Sequence, residues 1–275
     1  MNTMQTMKTI LAEVKRKKPV IECITNYVTI GDCANIILAA GASPIMAEDI
    51  REIKEIVSIS GAVVLNIGTL QEQTVKAMRL AGEEANRLNI PVVLDPVGVG
   101  ASNLRNVTAE MLLKNVQFSA IRGNLSEIKA IYGVDSGTKG VDAADGETVN
   151  DAAVDIVRAV AQRYDCTVAA TGAQDIIASP ERTAILENGH PMMADVTGTG
   201  CMCSSIVGAM CGGGVGDSFA EAVLAVSMMS ISGEQAEEFV RAAGAGIGTF
   251  REKLFDYMYQ FDAAVLEKRG KIREL

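Results

Sequence analysis

The sequence predicts an α/β fold of three layers, with a mostly parallel central sheet between two layers of helices. Two patterns lead there. Short, apolar, β-rich runs alternate repeatedly with helical patterns, as in a parallel sheet covered on both faces. Those runs also end in polar or glycine residues, and ligands in such sheets collect beyond the carboxyl ends of the strands. A chain of 275 residues buries one sizeable core or two small ones, and it reads as a single domain over 1–275.

The elements follow in order. The segment up to about Lys17 reads as a helix ended by Pro19, and Val20-Ile-Glu-Cys-Ile24 as a short strand. Thr25 to Thr29 is a polar loop at that strand's end. From Gly31, the spacing of Ala34, Ile37, Leu38 and Gly41 is helical, with Asp32 suited to cap the first turn. Ala42 to Met46 is a short apolar element, and Glu48 to Ile59 an amphipathic helix. Ala62 to Ile67 is a buried strand ending at Gly68-Thr69, and Gln71 to Leu88 a long helix. Pro91 to Leu94 starts a strand that runs into Asp95-Pro-Val-Gly-Val-Gly100. Thr108 to Leu113 is helical, Phe118 to Ile121 a strand, and Leu125 to Tyr132 a helix after Arg122-Gly-Asn124. Gly133 to Gly146 is rich in Gly and Asp, has no period, and reads as a surface excursion. Asn150 to Tyr164 is a helix and Cys166 to Ala170 a strand. Gln174–Ala178 with Ala184–Glu187 suggests an antiparallel hairpin, which argues against a simple eight-unit barrel. The last hundred residues read as mainly helical, broken at Gly212-Gly-Gly214.

Composition excludes several classes. Hydrophobic residues make up 48% and charged residues 21%, as in a globular protein. A net charge of -9 argues against a general nucleic-acid binder. The basic run Lys15-Arg-Lys-Lys18 reads as a solvated helix end. No apolar run reaches 18 residues, so no membrane span is expected. The six cysteines sit in a long chain without an apolar signal region, which suggests cytoplasmic, reduced thiols. Cys201 and Cys203 lack a second ligand pair, so a structural zinc site is not expected. Cys203 and Cys211 read as small buried helix residues.

The richest chemistry lies in Asp195-Val-Thr-Gly-Thr-Gly-Cys201. A glycine turn before a helix offers unpaired N–H groups and the positive helix end to an anion. Gly198, Thr199, Gly200 and Cys201 can supply successive N–H groups to developing charge. Cys201 could accept an alcohol proton if its pKa were lowered. A Cys–His pair is not expected, because His190 is the only histidine and stands before Pro191. Asp95, at the end of a buried strand, suits Mg²⁺ held directly or through water, or a loop-organising role. Arg122 can clamp phosphate with its planar fork. Glu127 suits a second oxygen ligand near the ion, or the reciprocal position of a capping box with Asn124. Thr171-Gly172 can reach a phosphate tail. The strand ends draw Asn26 and Gly68 to the same site. Neither a Walker-type loop nor a dinucleotide fingerprint is present.

Taken together, Thr25–Thr29, Ala42–Met46, Asn66-Ile-Gly-Thr69, Leu94–Gly100, Ile121–Glu127 and Asp195–Cys201 resemble the hydroxyethylthiazole kinase family of the ribokinase-like superfamily. The resemblance covers nearly the whole chain. It implies a ribokinase-like fold without a separate lid domain. It also implies ATP-dependent phosphorylation of the alcohol of 4-methyl-5-(2-hydroxyethyl)thiazole, giving ADP and the thiazole phosphate used for thiamine phosphate. By the same resemblance, Asn26, Met46, Gly68 and Gly198 bind the thiazole, and Arg122 and Thr171 contact the ATP phosphates. Asp95 and Glu127 lie in the magnesium region. Cys201, Gly198 and Gly200 form the catalytic turn, with Cys201 where many related sugar kinases carry an aspartate. The family implies a homotrimer with intersubunit substrate sites, although Ile45 and Met46 by themselves read as core residues. A hydroxymethylpyrimidine kinase and a nucleotide-sensing binding protein are the alternatives.

Overall fold

The computed structural model describes residues 2–133 and 150–275. The excursion expected from Gly133 to Gly146 lies, beyond Gly133, outside the described residues. The first helix, α1 (Thr3–Lys17), opens on Asn2, whose side chain accepts from Gln5 N at 2.9 Å. Met7, Ile10, Leu11 and Val14 give it a buried face at helical spacing. The basic run at its end is not simply solvated. Lys15 donates to Phe261 O at 2.6 Å and Lys17 to Gly213 O at 2.7 Å, so two of its cations tie down distant carbonyls.

The strands are β1 (Val20–Ile24), β2 (Ser43–Ile45), β3 (Ala62–Asn66), β4 (Val92–Asp95), β5 (Ala120–Asn124), β6 (Thr167–Thr171), β7 (Asp175–Ala178), β8 (Thr183–Leu186) and β9 (Ile272–Glu274). They form one sheet in the order β2-β1-β3-β4-β5-β6-β7-β8-β9. The pairs from β2 through β6 are parallel, and those from β6 through β9 are antiparallel. Side chains alternate between two core layers. Val64, Val93 and Ala120 face one, while Val63, Leu65, Leu94 and Ile121 face the other. Both faces are covered, which is why these runs are continuously apolar.

On one face lie α3 (Ile53–Ser58), α4 (Glu72–Arg87), α5 (Asn103–Asn115), α6 (Leu125–Tyr132) and α7 (Asp151–Tyr164). The other carries α1, α2 (Ile30–Ala39), α8 (Thr199–Cys211), α9 (Ser218–Ala243), α10 (Ile247–Gln260) and α11 (Ala263–Arg269). Helix α8 is buried along Met202–Cys211, Cys203 and Cys211 included. It lies so close to β3 that a Cβ on Gly208 would stand 2.3 Å from Val64 Cγ2.

Two expectations at helix starts fail for physical reasons. Asp32 does not cap α2: Thr29 is the cap residue, and Asp32 pairs with Arg251 instead. Helix α3 starts later than Glu48, because the Asp49 carboxylate accepts from Arg51 N at 2.9 Å and holds a turn there. Thr108–Leu113 belongs to a helix as expected, and that helix, α5, begins at Asn103, where Ser102 accepts from Arg105 N at 3.4 Å.

Candidate active site

Five parallel strands deliver polar residues to one end of the sheet. Register places Asn66 of β3 beside Asp95 of β4, and Asn124 of β5 beside Thr171 of β6. Asp95 is 1% exposed. Its Oδ2 accepts from Asn66 Nδ2 at 2.7 Å and from Ser204 Oγ of α8 at 2.8 Å. Its Oδ1 is buried with no protein partner. Burial raises its pKa, while Arg122, Ser204 and Asn66 oppose the rise.

The network continues into the loop after β1. Asn66 Oδ1 accepts from Gly68 N at 2.8 Å and from Asn26 Nδ2 at 3.2 Å. Asn26 Nδ2 also donates to Cys201 Sγ at 3.1 Å, and its Oδ1 accepts from Thr29 N and Thr29 Oγ1 at 3.1 and 3.0 Å. Two strand-end loops and the start of α8 are thereby held together. Arg105 fixes the loop ends as well, donating to the carbonyls of Ile67, Gly68 and Val97 at 2.7, 2.8 and 2.6 Å. Met46 stands just past β2, half-buried and packed on the apolar layer beneath α8. Ile45 is half-buried too, so neither is a core residue.

Arg122 leads the second half of the site. Its guanidinium donates to Thr171 Oγ1. Its Nε is buried without a partner. Burial opposes its charge, but Cys203, Asp95, Glu127 and Cys201 outweigh that and hold its pKa above the ordinary arginine value. Glu127 takes the capping-box position: it accepts from Asn124 N at 2.8 Å, while its own N–H donates to Asn124 Oδ1 at 2.8 Å. Its other oxygen accepts from Gly98 N at 2.8 Å. Burial, with Asp95 close by, pushes its pKa up to about 7.

The glycine turn closes the site. Gly198 has φ +87°, and a Cβ there would stand 2.4 Å from Thr29 Cγ2. A Cβ on Gly200 would stand 2.6 Å from Arg122 Nη1. The backbone of the turn therefore lies directly against the guanidinium. The first bond across the turn runs from Met202 N to Gly198 O at 2.8 Å. By helix geometry, the N–H groups of Thr199, Gly200 and Cys201 have no intrahelical acceptor. Arg122 and these groups together make an electropositive surface fitted to phosphate. Cys201 is half-buried, and burial pushes its thiol up to about 12. The lowered pKa that a thiolate base needs is not what this environment provides.

Hydrogen bonds through Asn66 join Asn26, Gly68, Asp95 and Cys201, and another joins Arg122 to Thr171. Gly198 and Gly200 lie against Thr29 and Arg122, Glu127 is bonded to Asn124 and Gly98, and Met46 packs on the apolar layer. Asn66, Ser204, Arg105 and Asp175 were not singled out. Asp175 is buried, accepts from Gly172 N at 3.0 Å, and is pushed up to about 7 by burial. Asn66 had a legible signal: an amide directly after the apolar run Ala62–Leu65 must find a partner.

The match to the family model described as hydroxyethylthiazole kinase family spans residues 11–264. A hydroxyethylthiazole kinase of Clostridium beijerinckii is 51% identical over 97% of this chain and 96% of its own length. One from Methanobrevibacter smithii is 42% identical over 99% and 98%. The solved hydroxyethylthiazole kinase structure from Pyrococcus horikoshii superposes with a TM-score of 0.89 at 33% identity, covering 98% of this chain and 99% of that one. The chain belongs to the hydroxyethylthiazole kinase family.

Proposed function

We propose that this protein transfers the γ-phosphoryl group of ATP to the alcohol of 4-methyl-5-(2-hydroxyethyl)thiazole, giving ADP and the thiazole phosphate that supplies thiamine synthesis. Family membership supports the substrate. One observation carries the chemistry: the free N–H groups of the α8 turn, the Arg122 guanidinium and the partnerless Asp95 Oδ1 converge at the carboxyl end of the sheet.

Phosphoryl transfer depends chiefly on positioning and charge stabilisation. Thr171 holds Arg122 against the turn, where the guanidinium and backbone N–H groups receive the phosphate oxygens. Asn26 and Gly68 place the acceptor alcohol near Cys201, with Met46 and Gly198 lining the apolar and backbone sides of the thiazole. Asp95 and Glu127 lie where Mg²⁺ would be held, and the ion would supply charge neutralisation at the phosphate. Among the described residues no group of three His, Cys, Asp or Glu is placed to cage a metal. That donor set fits Mg²⁺, which keeps water and takes one or two carboxylates plus phosphate. Asp95 Oδ1 would hold it, and Glu127, whose two oxygens already accept backbone N–H bonds, would act through water. Cys201 shapes the acceptor side as a neutral thiol, and the alcohol proton passes to an oxygen of the transferred phosphoryl group as the bond to phosphorus forms.

A homotrimer with intersubunit substrate sites follows from the same reading. Tyr27 and Val28, next to Asn26, are 47% and 69% exposed, and Leu38 on α2 is 55% exposed, which supports an interface there. The free state of all six cysteines supports a reducing, cytoplasmic setting. The test is product-resolved phosphorylation of the thiazole alcohol by the purified protein with ATP and Mg²⁺, run beside hydroxymethylpyrimidine. Thiazole phosphate with stoichiometric ADP is expected. ADP without thiazole phosphate, or preferential phosphorylation of the pyrimidine, would overturn the assignment.

A further inference from the structure

Asn66 ends β3 with no exposed surface. Its amide has two chemically distinct sides, and each faces a different half of the site. Nδ2 donates to Asp95 Oδ2, while Oδ1 accepts from Gly68 N and Asn26 Nδ2. This orientation is not interchangeable. The Gly68 N–H can only donate, so the atom facing it must accept, which leaves Nδ2 for the carboxylate. Both outer partners reach α8: Asn26 bonds Cys201 Sγ, and Asp95 accepts from Ser204. One buried amide is thus the junction between the loops on the alcohol side and the carboxylate on the phosphate side. Packing alone would be met by an apolar residue of similar volume, with no buried polar atoms to satisfy.

We propose that Asn66 is the positioning residue of the transfer. It engages Asp95 Oδ2 so that Oδ1 is the oxygen left without a protein partner, and it fixes Gly68 and Asn26 at a constant offset from that carboxylate. Acceptor alcohol and donor phosphate are then aligned before reaction, a source of rate that a misplacement of about 1 Å forfeits roughly 100-fold. Asn66 touches neither substrate and acts through its partners. The proposal rests on the kinase reading above.

Steady-state kinetics with ATP, Mg²⁺ and the thiazole alcohol test it on wild type, Asn66→Ala, Asn26→Ala, their double variant and Asn66→Asp, with folding followed by thermal melting. Asn66→Ala is expected to lower kcat about 100-fold while the KM for ATP stays within about 3-fold. The double variant should lose less than the product of the single losses, because both residues serve one junction. Asn66→Asp is nearly isosteric and keeps the test alive should the alanine variant not fold. It keeps the oxygen that accepts from Gly68 and Asn26 but not the donor to Asp95, so its kcat is expected to fall while the KM for ATP stays within about 3-fold. An Asn66→Ala or Asn66→Asp kcat within about 3-fold of wild type, or multiplicative losses in the double variant, would each overturn the proposal. A wild-type protein that makes no thiazole phosphate overturns the kinase reading and this inference with it, and that arm is read independently of the variants.

Discussion

In the proposed reaction Cys201 stands beside the alcohol that loses its proton, yet its surroundings keep it a thiol. Burial pushes it up to about 12, and Asp95 and Cys33 add to the rise. Asn26 donates to its sulfur, which orients the group without ionising it. The expected consequence is that Cys201→Asp preserves turnover, because the carboxylate can accept both the Asn26 bond and a proton. Cys201→Ala removes the Asn26 bond and the volume beside the alcohol and should lower kcat by roughly 10- to 100-fold. Equal turnover of the alanine variant and wild type would remove any role for the thiol in placing the alcohol. At this scale, Asp95 and Arg122 stand out in sequence because their charge follows an apolar run, and Glu127 because it sits in the first turn of a helix after Arg122-Gly-Asn124. Asn66 and Ser204 do not, because an amide or hydroxyl becomes part of a site only through neighbours brought from other strands and from α8.

Elements show the same division. The bounds of α6 were readable from sequence, since Asn124 and Glu127 spell its capping box and Gly133 ends it in the left-handed region. The parallel strands are readable as apolar runs, and the hairpin of β7 and β8 from the two runs Gln174–Ala178 and Ala184–Glu187. Strand β9 is not: three residues, one of them half-buried and two exposed, carry no usable period. Its existence depends on the edge that β8 offers. The late start of α3 was equally hidden, because a two-residue exchange between Asp49 and Arg51 decided it. The capping box has a second job, since it holds Glu127 in reach of Gly98. Asn124→Ala should therefore cost about 1 kcal/mol of stability and also slow turnover by loosening Glu127. Denaturant unfolding and kinetics on one preparation check both, and a variant that is destabilised yet fully active would separate the cap from the site.

Across the whole molecule, several carboxyl groups are buried with raised pKa values. Glu22 is pushed up to about 8, and Glu127, Asp175 and Glu221 to about 7, in each case chiefly by burial. A carboxyl that holds its proton more tightly when folded contributes most stability below its unfolded value of about 4. That contribution is lost as pH rises through the folded value, because the folded state then binds more protons than the unfolded one. The melting temperature of the ligand-free protein is expected to fall between about pH 5 and about pH 8. Glu22, which accepts from Ala47 N at 3.1 Å, carries the upper end of this window. Glu22→Gln keeps an acceptor there and should gain on wild type more at about pH 8 than at about pH 5. Parallel melting curves at the two pH values would refute this. Two of these four, Glu127 and Asp175, interact with Arg122, whereas Glu22 and Glu221 lie away from it.

On the proposed function, phosphoryl transfer is organised around the buried Asp95 at the carboxyl end of the sheet. The most direct measurement is the rate of thiazole phosphate formation by wild type and by Asp95→Asn at saturating ATP and Mg²⁺, with both proteins shown to be folded. Wild type is predicted to form the product, and Asp95→Asn, which keeps the shape and the Asn66 contact but not the charge, to be at least about 100-fold slower. Wild-type turnover by the folded Asp95→Asn protein would contradict the account.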